Sequence, residues 1–165
     1  MDRKVKATKT KDIIQEYEEL RFFYQDTERK INEIKDEQQQ LLLRTIEKLQ
    51  PELEWLLQRN YYFIHPALGD FKFTRGPILG MEEGKQYVYI YDIKKQSLIK
   101  GDTSDDFKFS NVTALDVINA GLFMDAMEGI LYTRELLNEY NNRIGTVYSN
   151  LKADLENYTR IFHEL

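Results

Sequence analysis

Ile144, Tyr148, Leu151, Leu155, Tyr158, Phe162 and Leu165 recur at alternating spacings of four and three up to the last residue. That spacing keeps seven apolar side chains on one narrow seam of a helix and suits a neighbour that supercoils with it. In a strand the same residues would scatter to both faces. The segment is therefore expected to be a helix with something docked along its seam, the C-terminus included.

A second seam of equal length lies near the start of the chain: Ile13, Tyr17, Leu20, Tyr24, Thr27, Ile31 and Ile34. Asp12 is placed to cap this helix, because its carboxylate can accept from the amides of the first turn. At Gln38-Gln39-Gln40 the seam turns polar. It resumes in a shifted frame at Leu42, Ile46, Leu49, Leu53 and Leu56, a stutter that locally unwinds a coiled coil. Pro51 predicts a kink or a short break. Phe22, Phe23, Leu41, Leu43, Trp55 and Leu57 widen the stripe toward a globular neighbour.

Between these seams the period changes from 3.6 to 2. Short apolar runs at 61–64, 71–75, 78–81, 86–93, 97–100 and 107–109 are separated by Gly, Pro and charged turn residues. They predict an antiparallel meander of three to five strands. After it, Thr113 with Asp116 resembles a capping box. Leu115, Ile118, Leu122, Met127, Ile130, Leu131, Leu136 and Leu137 form a broad apolar face. Gly121 and Gly129 in that stretch predict tight packing or local irregularity, since glycine costs about 1 kcal/mol inside a helix. Asn141-Asn142 and Gly145 mark a possible kink at 141–145.

The expected fold is mainly α with a small antiparallel β insert (α+β). Its parts are a basic tail (1–11), an N-terminal helical arm (12–60, kinked near 51), a β-rich insert (61–110) and a C-terminal helical arm (111–165). Long terminal amphipathic helices would pack as a coiled coil or helical bundle around or beside the meander. This helix–strands–helix layout resembles that of prefoldin subunits, in architecture and not in any motif. The seams could pair within or between molecules. A β insert that reverses the chain favours intramolecular pairing extended by dimerisation.

Charge and composition narrow the function classes. Residues 1–12 hold five basic and two acidic side chains, a balance of +3, which leaves −8 for the rest of a chain of net charge −5. A body this acidic is a poor direct binder of nucleic acid, which rewards basic surface. The absence of cysteine excludes disulfides, thiolate metal sites and a cysteine nucleophile, and fits a cytoplasmic protein. No window approaches the roughly 18 apolar residues of a membrane span. Heavy use of Ile, Lys, Glu, Tyr and Asn suggests a bacterial or phage accessory factor.

No stretch carries a complete catalytic or cofactor motif. His65 and His163 lack local partners at metal-ligand spacing. Asp102-Thr103-Ser104-Asp105-Asp106 begins like a calcium loop, but Phe107 stands where the turn needs glycine and Thr113 where a bidentate Glu is required. Gly76-Pro77-Ile78-Leu79-Gly80 lacks the Lys-Ser/Thr ending of a phosphate loop. Tyr87, Tyr89 and Tyr91 share one face of a strand, with Val88 and Ile90 on the other. They suit a sheet core, a protein interface, or stacking on a base or ligand. The seven basic and seven acidic residues from Asp70 to Lys108 make the insert near neutral.

The leading expectation is a non-enzymatic protein that oligomerises through its arms, as a dimer or higher, and presents the aromatic insert or an acidic helix face to a protein partner. No cofactor or metal is expected. One alternative is an acidic inhibitor or regulator that occupies a nucleic-acid-binding surface on its target. Another is a small-ligand site between insert and arms, lined by Trp55, Tyr61, Tyr62, Tyr87, Tyr89 and Tyr91, with Arg75 supplying charge.

Overall fold

A computed structural model describes residues 9–84 and 86–165. Arg3, Lys4 and Lys6 of the expected basic tail, and Lys85 of the insert, lie outside the described residues. The first helix, α1, runs over Thr10–Gln58. It starts two residues before the expected cap, so Asp12 lies in the first turn, where a carboxylate still meets the positive end of the helix dipole. The predicted break at Pro51 is not formed. Pro51 forfeits one helix hydrogen bond, but Leu49 and Leu53 on either side are buried, and packing carries the helix through.

The insert folds into six short strands in two sheets. β1 (Phe63–Ile64) and β2 (Lys72–Phe73) form a small hairpin. β3 (Ile78–Met81), β4 (Tyr87–Asp92), β5 (Ser97–Asp102) and β6 (Lys108–Val112) form a four-stranded antiparallel meander in sequence order. The central pairing sets Tyr89 opposite Lys100 and Ile90 opposite Ile99. Strand alternation then gives the sheet two apolar faces. Tyr89, Tyr91 and Leu98 face the helices, where they pack with Leu42, Leu49 and Leu53 of α1. Val88, Ile90 and Ile99 face the other way and are covered by Leu68, Phe71, Phe73 and Phe109.

The predicted C-terminal arm is not one helix. It divides into α2 (Ala114–Asn119), α3 (Phe123–Leu131), a 3-10 turn (Tyr132–Glu135) and α4 (Leu136–Glu164). The capping box is present: Asp116 N donates to Thr113 Oγ1 at 3.2 Å, and Thr113 N to Asp116 Oδ2 at 2.8 Å. The Thr113 amide, and then the Thr113 hydroxyl donating to the same Asp116 oxygen at 3.0 Å, hold the Asp116 carboxyl below its usual range. The two glycines act in different ways. Gly121, at φ +75°, ends α2 in a Schellman turn, with Leu122 N bonded to Val117 O and Gly121 N to Ile118 O. Gly129 lets α3 lie directly on β3, because a Cβ there would collide with the Ile78 carbonyl oxygen. The suspected kink at 141–145 causes no break in α4.

Three contacts fix the direction of this second half. Lys35 Nζ meets Asn119 Oδ1 at 3.1 Å, Arg134 pairs with Glu52 at 2.8 Å, and Tyr140 Oη donates to the Tyr62 carbonyl at 2.9 Å. Both members of each pair ascend in sequence, so residues 119–140 run alongside α1 in the same direction. α4 then continues past the end of α1, while the first half of α1 precedes the head. The two arms leave the head at opposite ends. Expected intramolecular pairing of the seams is therefore not formed: the meander reverses the chain, but the return path of β5, β6 and α2 brings it back to run parallel to α1.

Candidate interaction surfaces

The head consumes only the later part of the α1 stripe. Leu42, Ile46, Leu49, Leu53 and Leu56 are all buried beneath the sheet and α2–α3. The earlier seam lies on the same helix but meets no comparable cover. Ile13 is half-buried, whereas Tyr17, Leu20, Tyr24, Ile31 and Ile34 are all exposed, Tyr24 to 67%. Ile14, Phe22 and Phe23 are also exposed beside them. Within this arm, Arg29 bridges Asp26 and Glu33, and Lys30 also pairs with Asp26. Such i,i+3 and i,i+4 pairs support a solvated helix only slightly.

The C-terminal seam is barer still. Every residue from Asn141 to Leu165 is exposed. Ile144, Tyr148, Leu151, Leu155, Tyr158 and Phe162 each show between 64% and 71% of their surface. Val147 and Ile161 widen the seam on one flank and escaped the sequence reading. Each stands one residue before a seam position, a signal the strict four-three count passes over. Each exposed seam extends over roughly 30 Å, from about 20 residues at a 1.5 Å rise. Helices in water take most of their stability from packing an apolar face, and here two such faces are unpacked.

The seven aromatic and charged residues expected to line a partner or ligand surface do not converge. Tyr89 and Tyr91 are buried, and their polar tips are engaged inside the head. Tyr89 Oη bonds Glu82, and Tyr91 Oη donates to Gln50 Oε1 at 2.6 Å. Burial raises the pKa of both phenols, with the Glu82 bond adding to it at Tyr89. Tyr87 is half-buried beneath the Lys100 ammonium, 4.4 Å from the ring centre. Arg75 lies over Phe109, on the side of the sheet away from the helices, at 4.7 Å. It therefore cannot serve a site beside Trp55.

Trp55 and Tyr61 do come together, but as a joint between elements. Their rings stack with centroids 6.2 Å apart, Arg59 covers the indole at 3.8 Å, and Tyr140 of α4 packs on Tyr61 at 5.4 Å. With the Tyr140–Tyr62 hydrogen bond and the Arg134–Glu52 pair, this cluster fixes the base of the C-terminal arm to the end of α1. Tyr62 itself is exposed, with Lys72 5.8 Å from its ring centre. Tyr140 was missed because its partners are about 80 residues away in sequence.

Two further clusters hold side chains of types that can bind a metal. His65, Asp125 and Glu128 bring ligand-type atoms within 4.8 Å of one another. Yet His65 Nδ1 accepts the Ala67 amide at 3.0 Å, so Nε2 carries the proton and donates to the Asp125 backbone oxygen at 2.7 Å. Neither nitrogen keeps a lone pair for a metal. The acidic loop after β5 closes a turn: Asp102 Oδ1 accepts from Ser104 N and Oγ at 2.9 and 2.6 Å. These bonds hold its carboxyl below the usual range. Among the described residues no helix is long and apolar enough to cross a membrane. Compared with known proteins, the chain matches no family model, no curated protein and no solved structure.

Proposed function

We propose that this chain is a non-enzymatic assembly protein, in which a small α+β head holds two helical arms apart for binding other protein chains. The observation that carries the reading is the pair of seven-position seams, Ile13–Ile34 with five of its seven positions exposed and Ile144–Leu165 with all seven exposed. Exposed apolar patches beyond a few hundred Å² mark interaction sites on soluble chains. Tyr89 and Tyr91 are spent inside the head, and His65 is engaged on both nitrogens. Partners therefore meet the arms rather than the insert. The N-terminal arm, with its acidic solvated face, is the surface offered to a protein of another kind.

Sedimentation velocity across micromolar concentrations tests the reading. The wild-type chain should sediment as a dimer or larger, and Leu151→Asp/Leu155→Asp should shift it toward the monomer while the head stays folded. A wild-type chain that remains monomeric at high micromolar concentration, with both arms helical, would remove the reading.

A further inference from the structure

The two seams share spacing and length but differ in charge, and that difference selects a partner for one of them. From Ile13 to Ile34 six acidic residues stand against three basic ones, net −3; from Ile144 to Leu165 three stand against two, net −1. Placed in heptads, both arms carry the same phase, with Ile144, Leu151, Tyr158 and Leu165 at d and Tyr148, Leu155 and Phe162 at a. The flanks then decide orientation. In a parallel, in-register pair of C-terminal arms, Asp154 faces Thr159 of the second copy and Val147 faces the stem of its Lys152. No like charges meet.

The antiparallel register with the fullest overlap pairs Leu151 with Leu155. It sets Lys152 against its own copy on one flank and Asp154 against its own copy on the other, two repulsions at the centre of the interface. Self-pairing of the N-terminal arms in parallel would set Lys30 against Lys35. Pairing the N-terminal arm in parallel register with the C-terminal arm of another copy would set Glu28 against Asp154. Only the parallel C-terminal pair is free of such contacts among these four alignments.

Area supports the same occupant. The seven seam residues with Val147 and Ile161 each show 40% or more of their surface. At roughly 100 Å² apiece they present roughly 900 Å² per chain, the scale of a standard interface at about 800 Å² per partner. A closed two-fold arrangement is also the commonest form of self-assembly.

Resting on the arm reading above, we propose that the C-terminal arms of two copies of this chain pair in parallel and in register. The dimer then carries both heads at one end of the coil, with both N-terminal arms projecting from the far side of the heads.

The absence of cysteine makes the test direct. Tyr158→Cys and Thr27→Cys each place one thiol at a d position, and disulfide closure requires Cα atoms within about 7 Å. Under mild oxidation Tyr158→Cys should cross-link to itself at least about tenfold more than Thr27→Cys, and a mixture should give no linked heterodimer. Linkage between Thr27→Cys and Tyr158→Cys chains would overturn the proposal in favour of head-to-tail pairing. Light scattering of the reduced variants separates the remaining failures. An oligomer without Tyr158 self-linkage overturns parallel pairing alone, whereas a monomer of both variants and of the wild type overturns the arm reading as well.

Discussion

The two halves of α1 carry the same kind of apolar repeat and meet opposite fates. From Leu42 to Leu56 the stripe is buried under the sheet, and from Ile14 to Ile34 its large side chains are exposed. Helix propensity does not distinguish them, and neither does spacing. The difference is set by what the rest of the chain places beside each half. At the edge of the head Asn119 of α2 bonds Lys35, and Leu115 and Asn119 share an open cleft with α1 back to Gln25 without covering the earlier stripe. A four-three repeat thus states that a face needs cover without saying whose cover it is.

That contrast can be broken most severely in the buried half. Leu53→Ala removes a side chain with no solvent exposure from the centre of the core, and should cost about 2–5 kcal/mol in urea unfolding. Leu20→Ala in the exposed half should leave the same unfolding free energy unchanged when measured at low concentration. Equal losses at both sites would mean that the N-terminal arm is packed within the single chain.

A second prediction concerns the contact that lets α3 lie on β3. Gly129→Ala drives a methyl into the Ile78 carbonyl and the His65 ring, and should destabilise the head by about 1–3 kcal/mol. Gly145→Ala, where a Cβ meets open space, should be neutral or stabilise α4 by up to about 1 kcal/mol. His65→Ala should fall close to the Gly129 effect, because it leaves the Ala67 amide and a cavity behind, at about 1–3 kcal/mol.

The smallest effect is on pH dependence. Tyr89 and Tyr91 have raised pKa values in the folded head, chiefly from burial. A raised acid pKa contributes stability that is complete below the unfolded value near 10 and is lost as pH rises toward the folded one. Head stability should therefore fall above about pH 10. Tyr89→Phe should make that decline shallower. A decline of unchanged slope would contradict the placement of Tyr89.

Much of this was legible in the sequence because it is local. The six strand runs, the face alternation of Tyr89 and Tyr91 against Val88 and Ile90, the Thr113–Asp116 cap and both seams follow from period and turn chemistry. The misses are tertiary. Pro51 reads as a kink or a short break, yet α1 continues unbroken past it between the buried Leu49 and Leu53. Gly121 reads as ambiguous until its left-handed backbone divides the second arm. Trp55 and Tyr61 read as a partner or ligand surface, yet with Tyr140, which no local pattern singles out, they join two helix ends.

On the proposed reading the arms, unlike the head, find their cover in other chains. Hydrogen exchange at two protein concentrations measures this directly. Amides of residues 144–162 should gain protection as concentration rises through the assembly range, while those of Leu42–Leu56 and β4 stay equally protected throughout. Arm amides whose protection does not change with concentration, whether high or low, would contradict the account.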